Sequence, residues 1–137
     1  MRILGLDYGE KRIGAAISDE LGMTAQGLPT IIRKSRKHDW DILDNLIKSY
    51  NVEKIVIGYP VRLDGSEGIQ CEKVNRFSVQ LNKIFSLSVI KWPETLSTKE
   101  AEEILINSGV RWKKRKKMVD KLAACLILRG YLDSIAK

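Results

Sequence analysis

The sequence predicts an α/β fold built on a mixed sheet. Two observations lead there. The chain opens with two short apolar runs, residues 3–6 and 13–17, separated by a charged, glycine-containing turn, which is the pattern of a strand–turn–strand hairpin. Beyond residue 38, segments with helical periodicity alternate with short β-branched runs, an order that calls for parallel crossovers. Of the 137 residues 44% are apolar, which suits one globular domain, 1–137, with a buried core.

Asp7 ends the first strand, and Gly9 lets the chain turn sharply. An acid at the end of a buried strand is costly unless something pairs with it. A metal ion or a neighbouring cation would serve. So would the turn's own backbone, which Asp7 could cap. After residues 13–17, Ser18, Asp19, Glu20 and Gly22 mark a turn, and a third short strand runs through 30–32. The basic stretch 33–38 reads as a solvated loop rather than a phosphate site. His38 is the only histidine, so no histidine pair for a metal exists.

Residues 39–50 form an amphipathic helix, with Trp40, Leu43, Leu46, Ile47 and Tyr50 on one face and Asp39 at the N-cap or in the first turn. A buried strand follows at 54–59. The loop 60–68 contains the turn signal Asp64-Gly65, and Ser66 is placed to cap the next helix, whose apolar stripe is Val74, Phe77, Leu81 and Ile84. A loop from strand to helix is where open α/β sheets bind ligands. The last strand is 87–92, ended by Pro93, which leaves Glu94 at its exit. Ser97-Thr98-Lys99-Glu100 is a capping box, and Ala101, Ile104 and Leu105 face inward from the helix it opens. Six of the seven residues 111–117 are basic and read as a loop. A final helix, 118–135, is apolar nearly all round at 122–128 and carries Asp120 in its first turn.

Three acids thus occupy comparable positions: Asp7 and Glu94 at strand exits and Asp120 at a helix start. If these elements are neighbours, the carboxylates converge, and they stay ionised together only beside cations. Mg²⁺ or Mn²⁺ suits such a set, because these hard ions take oxygen ligands and keep water for a substrate. Two such ions about 4 Å apart activate a water and stabilise the leaving oxygen of a phosphodiester. Each acid also has an ordinary structural role open to it, as turn acid, post-proline acid or helix-dipole acid. Lys and Arg number 24 against 17 Asp and Glu, a formal charge of +7, which favours a nucleic acid partner. Lys113, Lys114, Arg115, Lys116 and Lys117 would bring that polyanion to Asp120. Cys71 and Cys125 lie far apart and imply reduced thiols rather than a disulfide framework. No signal peptide or membrane span is legible, so a soluble, cytoplasmic protein is expected.

The sequence also resembles a family. Asp7-Tyr8-Gly9 with Lys11-Arg12-Ile13-Gly14, then Ile57-Gly58-Tyr59-Pro60 with Asp64-Gly65-Ser66, then Glu94 with Leu96-Ser97-Thr98 and Glu100-Ala101, then Val119-Asp120-Lys121-Leu122-Ala123-Ala124 are similar to the signature of the YqgF family. These are Holliday-junction-resolvase-like proteins regarded as nucleases maturing the 16S ribosomal RNA precursor. The likeness runs from Ile3 to about Leu132. It implies a ribonuclease-H-like fold, a five-stranded mixed sheet flanked by helices. It also implies a divalent-metal nuclease site on Asp7, Glu94 and Asp120, with Lys11 and Arg12 beside the nucleic acid. The implied partner is precursor rRNA, free or in an immature ribosomal subunit, or branched DNA. A weakly active RNA-binding protein stays open as an alternative class. An actin-like phosphotransferase, which also uses Asp-x-Gly, needs two such domains and does not fit the length. Two departures stand out. The family's Asp-Glu-Arg is here Pro93-Glu94-Thr95, and its Gly-Leu-Pro is Gly58-Tyr59-Pro60, which would place an aromatic near the substrate path.

An arginine at position 95 would clamp a phosphate in two places, which threonine does not do. Thr95→Arg is therefore expected to raise single-turnover cleavage at saturating Mn²⁺ about ten- to a hundredfold, the worth of roughly 1.5–3 kcal/mol in a charge-assisted hydrogen bond. An unchanged rate with unchanged binding would show that Thr95 does not account for a weakened phosphate clamp.

Overall fold

Residues of the first hairpin are buried in an unbroken run but enter the two faces of the sheet by turns. In β1 (Arg2–Tyr8), Leu4 and Leu6 enter one core and Ile3 the other. In β2 (Arg12–Ser18), Ile13, Ala15 and Ile17 share the first core and Ala16 the second. This period of two is what a strand buried on both faces requires. The computed structural model describes residues 2–61, 64, 66–94 and 97–136; side chains at 94, 97–100, 112, 113, 116 and 117 lie outside the description.

The elements continue as β3 (Ala25–Ile32), α1 (Arg36–Ser49), β4 (Val52–Pro60), α2 (Ile69–Phe85), β5 (Ser88–Glu94), α3 (Ser97–Asn107) and α4 (Trp112–Ile135). The sheet has the order β3-β2-β1-β4-β5. β1 pairs antiparallel with β2, and β2 with β3, while β1/β4 and β4/β5 are parallel. The expected five-stranded mixed sheet flanked by helices is what forms. Residues of α1 and α2, among them Leu43, Val74, Phe77 and Leu81, complete the first core. On the opposite face, Ala124, Ile127, Leu128, Tyr131 and Leu132 of α4 complete the second. α3 packs on α4 through Ala101, Leu105, Val119 and Ala123. Each fully buried Leu or Ile contributes about 1.5–3 kcal/mol against exposure.

Several expectations are corrected. The basic stretch 111–117 is not a loop: α4 begins at Trp112, so Asp120 sits in its third turn, where the helix dipole has little hold on it. β5 does not stop before Pro93. Pro93 pairs with Tyr59, and Glu94 with Pro60, which is tolerated because β5 is an edge strand. β3 is longer than 30–32. The stretch 33–38 is loop only to Ser35, which caps α1 by accepting a hydrogen bond from the His38 N–H at 3.1 Å. Ser66 does not cap α2. Its hydroxyl donates to Asp64 Oδ1 at 2.7 Å, and Gly68 takes the N-cap position. Ile84 and Ile104 point to solvent. Tyr59 is buried in the first core. The capping-box side chains of Ser97 to Glu100 lie outside the described residues, as do Thr95 and Leu96.

What brings α4 down onto the sheet is the absence of side chains beneath it. A Cβ on Gly14 would lie 2.0 Å from the carbonyl oxygen of Asp120, and one on Gly5 would lie 2.7 Å from Leu128 Cβ. Gly27, by contrast, is covered by the flexible side chain of Lys121, 2.5 Å from such a Cβ. Gly14→Ala is therefore expected to lever α4 away and cost at least about 1–3 kcal/mol, the scale of overpacking, whereas Gly27→Ala costs less because Lys121 swings aside. Denaturant midpoints compare the two. Equal losses would mean that the approach at Gly14 is not what seats the helix.

Candidate functional site

The parallel strands β1, β4 and β5 all end at one edge of the sheet, and the candidate acids gather there. Asp7 pairs in register with Gly14. It has the same parity as Ile3 and Gly5, so its position belongs to the face covered by α4. Cross-strand partners lie about 4.5–5.5 Å apart at Cα. Asp120 rests with its backbone on that same Gly14. The structure therefore brings Asp7 and Asp120 together across one glycine. Glu94 ends β5 opposite Pro60, two strands from β1, or roughly 10 Å at about 4.8 Å per strand. Position 94 has the parity of Ile90 and Trp92, which pack in the second core beneath α4. The Glu94 side chain itself lies outside the described residues, and among those described no group of three or more His, Cys, Asp or Glu assembles as a metal cage.

Sequence reasoning did not find one pairing in the site. Arg12 Nε donates to Asp120 Oδ2 at 2.7 Å. The residues are 108 positions apart, and nothing in the local pattern announces the pair. Arg12 is 45% exposed and Asp120 20%, so solvent screening leaves the ion pair about 0.2–1 kcal/mol of stability. Its larger effect is local: a fixed cation offsets one of two neighbouring carboxylates. Lys11 stands exposed in the turn, and its carbonyl accepts from the Arg33 N–H at 3.0 Å.

Arg33 is also not the solvated residue the sequence implied. Its Nη1 donates to Gly9 O at 2.9 Å and its Nε to Asp39 Oδ2 at 3.2 Å, and its guanidinium lies 4.8 Å from the centre of the Tyr8 ring. Asp39 is only 5% exposed. Burial pushes its carboxyl up, but hydrogen bonds from His38, the Lys34 N–H and Arg33 outweigh this and hold it below its ordinary range. Arg33 thus ties the β1–β2 turn to the start of α1.

The basic stretch is presented on a helix. With 3.6 residues per turn, positions 113, 116 and 117 share the stripe of Asp120. Lys114 is exposed and Arg115 half-buried; the side chains of Lys113, Lys116 and Lys117 lie outside the described residues. Lys91 is occupied elsewhere, donating to Asn75 Oδ1 at 2.7 Å beside the Tyr59 ring. Among the described residues no helix is long and apolar enough to cross a membrane.

Residues 1–134 match the family model described as "RuvX: Holliday junction resolvase". A relative from Syntrophus aciditrophicus, named for pre-16S rRNA nuclease activity, is 64% identical over 137 residues, covering 100% of this chain and 91% of its own length. One of the same name from Halothermothrix orenii is 52% identical, with 97% and 95% covered. In fold, the chain is similar to fowlpox virus resolvase in a complex with Holliday junction DNA, with a TM-score of 0.60, 13% identity and 100% of both chains covered. It is likewise similar to Thermus thermophilus RuvC with a Holliday junction substrate, with a TM-score of 0.54, 13% identity, and 98% and 94% covered. At that identity the two structures speak for a shared resolvase-like, ribonuclease-H-like fold alone. The full-length family match and the relatives at 64% and 52% identity together show that the chain belongs to the RuvX family.

Proposed function

We propose that this chain is a divalent-metal-dependent nuclease that hydrolyses phosphodiester bonds of the 16S rRNA precursor, free or within an immature ribosomal subunit. The observation that carries this reading is the meeting of Asp7 and Asp120 across Gly14, at the edge where the strand of Glu94 also ends. The names of the relatives support RNA as the substrate. The description of the family supports a second reading, cleavage of branched DNA.

The donor chemistry fits Mg²⁺ or Mn²⁺. Carboxylate oxygens are hard ligands, and Asp120, seated by its backbone on Gly14, keeps its side chain 20% exposed and open to an ion. Asp7 and Asp120 would hold the ion, with Glu94 as the third ligand. Such an ion, once bound, offsets charge on the phosphoryl oxygens and makes water a better nucleophile. The chain's own groups do the rest. Asp7 pairs with Gly14 and stands one residue beyond the last β1–β4 pair, so its backbone is placed before the substrate arrives. Arg12 orients Asp120, and its guanidinium fork carries further N–H donors suited to a phosphate oxygen. Lys11 and the basic turns of α4 hold the polyanion on either side.

Asp7→Asn, Glu94→Gln and Asp120→Asn are each expected to lower cleavage of precursor RNA about a hundredfold or more, the scale of losing one preorganised electrostatic group, with the circular dichroism spectrum unchanged. EDTA should stop the reaction. Full activity in all three variants would remove the chemistry from this site. Running the same assay on a four-way DNA junction ranks the two substrates, and binding without cleavage of either would identify a binding protein.

Replacing Lys113, Lys114, Arg115, Lys116 and Lys117 together by Gln preserves helix propensity while removing charge. RNA affinity is expected to fall, and the slope of log affinity against log salt to flatten by roughly one for each phosphate no longer neutralised. An unchanged slope would make this end of α4 a solvated helix start and nothing more.

A further inference from the structure

On the other side of β1 from Asp7 lies a feature that the cleavage chemistry leaves unused. A cleft of about 180 Å³ opens between α1 and α2, lined by Tyr8, Arg33, Arg36, Trp40, Lys73 and Arg76. Its base is aromatic: Phe77, 4% exposed, has the Tyr8 ring 4.5 Å away and the Trp40 ring stacked on it at 5.2 Å. Tyr8 and Trp40 are only partly buried and both line the cleft, where Arg33 lies over the Tyr8 ring at 4.8 Å.

The charges around it do not cancel. Arg33 is matched by Asp39, and Lys73 by Glu10, whose carboxyl the Lys73 hydrogen bond holds below its ordinary range. Arg36 and Arg76 are exposed and have no ion pair among the described residues, so the cleft keeps a surplus of positive charge. Aromatic rings beside unmatched cations are the chemistry that grips single-stranded nucleic acid, with bases stacking and phosphates paired. The size narrows the ligand. Pockets that enclose a free small molecule run to about 300–1,000 Å³, so this one suits a single nucleotide of a longer strand. Its place narrows the role. Asp7 and Tyr8 are consecutive residues on opposite faces of one strand end, so a polynucleotide rounding that end would reach both.

We propose that this cleft binds an unpaired nucleotide of the substrate strand next to the bond that is cut, its base against Trp40 beside the Tyr8–Arg33 pair and its phosphate on Arg36 and Arg76. Its place next to a scissile bond rests on the nuclease reading above; the nucleotide site does not.

The test measures binding of short single-stranded RNA and DNA oligonucleotides by fluorescence anisotropy, in protein carrying Asp7→Asn so that the strand survives. Adding Arg36→Ala and Arg76→Ala, both at exposed positions, should weaken single-strand binding and flatten its salt slope by about 0.7, for the one phosphate they hold. An oligonucleotide with one abasic position should bind about five- to a hundredfold more weakly than the intact strand, the worth of one base stacked on an aromatic ring. A blunt duplex should not respond to the arginine substitutions. Unchanged affinity and slope in the arginine variant, or an abasic strand that binds as tightly as the intact one, would overturn the proposal. So would a free mononucleotide that competes as strongly as the strand. If the unmodified protein cuts nothing yet single-strand binding depends on Arg36 and Arg76, the nuclease reading fails and the nucleotide site stands. If it cuts while binding ignores both arginines, the cleft proposal alone fails.

Discussion

The close seat of α4 on the sheet is the constraint on which the rest depends. A long helix packed on strands through ordinary side chains stands about 10 Å off the sheet, as stacked layers do. Here the backbone of Asp120 reaches Gly14 itself. That approach does two things at once. It closes the second core, whose Leu128 in turn crowds Gly5. It also delivers a carboxylate from residue 120 to the strand pair that presents residue 7. Fold stability and site geometry therefore share one point of packing, and a change there would disturb both.

Electrostatics follows from that geometry. Asp7 and Asp120 flank one glycine, and Arg12 pairs with Asp120 while leaving it partly exposed. Across the strand the logic is inverted. Asp39 is buried, and Arg33, His38 and the Lys34 N–H surround it. One acid is kept partly exposed and the other is locked away where it holds the start of α1 to the turn before it.

How much of this was legible depended on range. Local patterns in the sequence told the strands apart from the helices because each element's burial obeys its own period, as in Leu4 and Leu6 against Ile3. Pro93 misled because its cost depends on whether a strand is at an edge, which is a property of the assembled sheet. The stretch 111–117 misled because a run of like charges reads as a loop, while packing of the later turns of α4 carries the helix back to Trp112. Among the candidate acids, positions came from strand ends and motif resemblance. The Arg12–Asp120 and Arg33–Gly9 hydrogen bonds had no sequence signal, because their partners meet only when distant elements pack.

The β1–β2 turn joins the two faces of the sheet. Tyr8 enters the first core beside Phe77, and Arg12 reaches Asp120 on the opposite face. Between them Gly9 lies so close that a Cβ on it would come 2.6 Å from the Arg12 carbonyl oxygen. Arg33 then fastens Gly9 from outside. A change in the backbone of this turn would therefore bear on contacts at both faces: the Arg12–Asp120 pair on one, and on the other the Arg33–Gly9 bond and the Tyr8 ring that Arg33 covers. The acid edge and the aromatic cleft are thus joined by the short backbone from Tyr8 to Arg12.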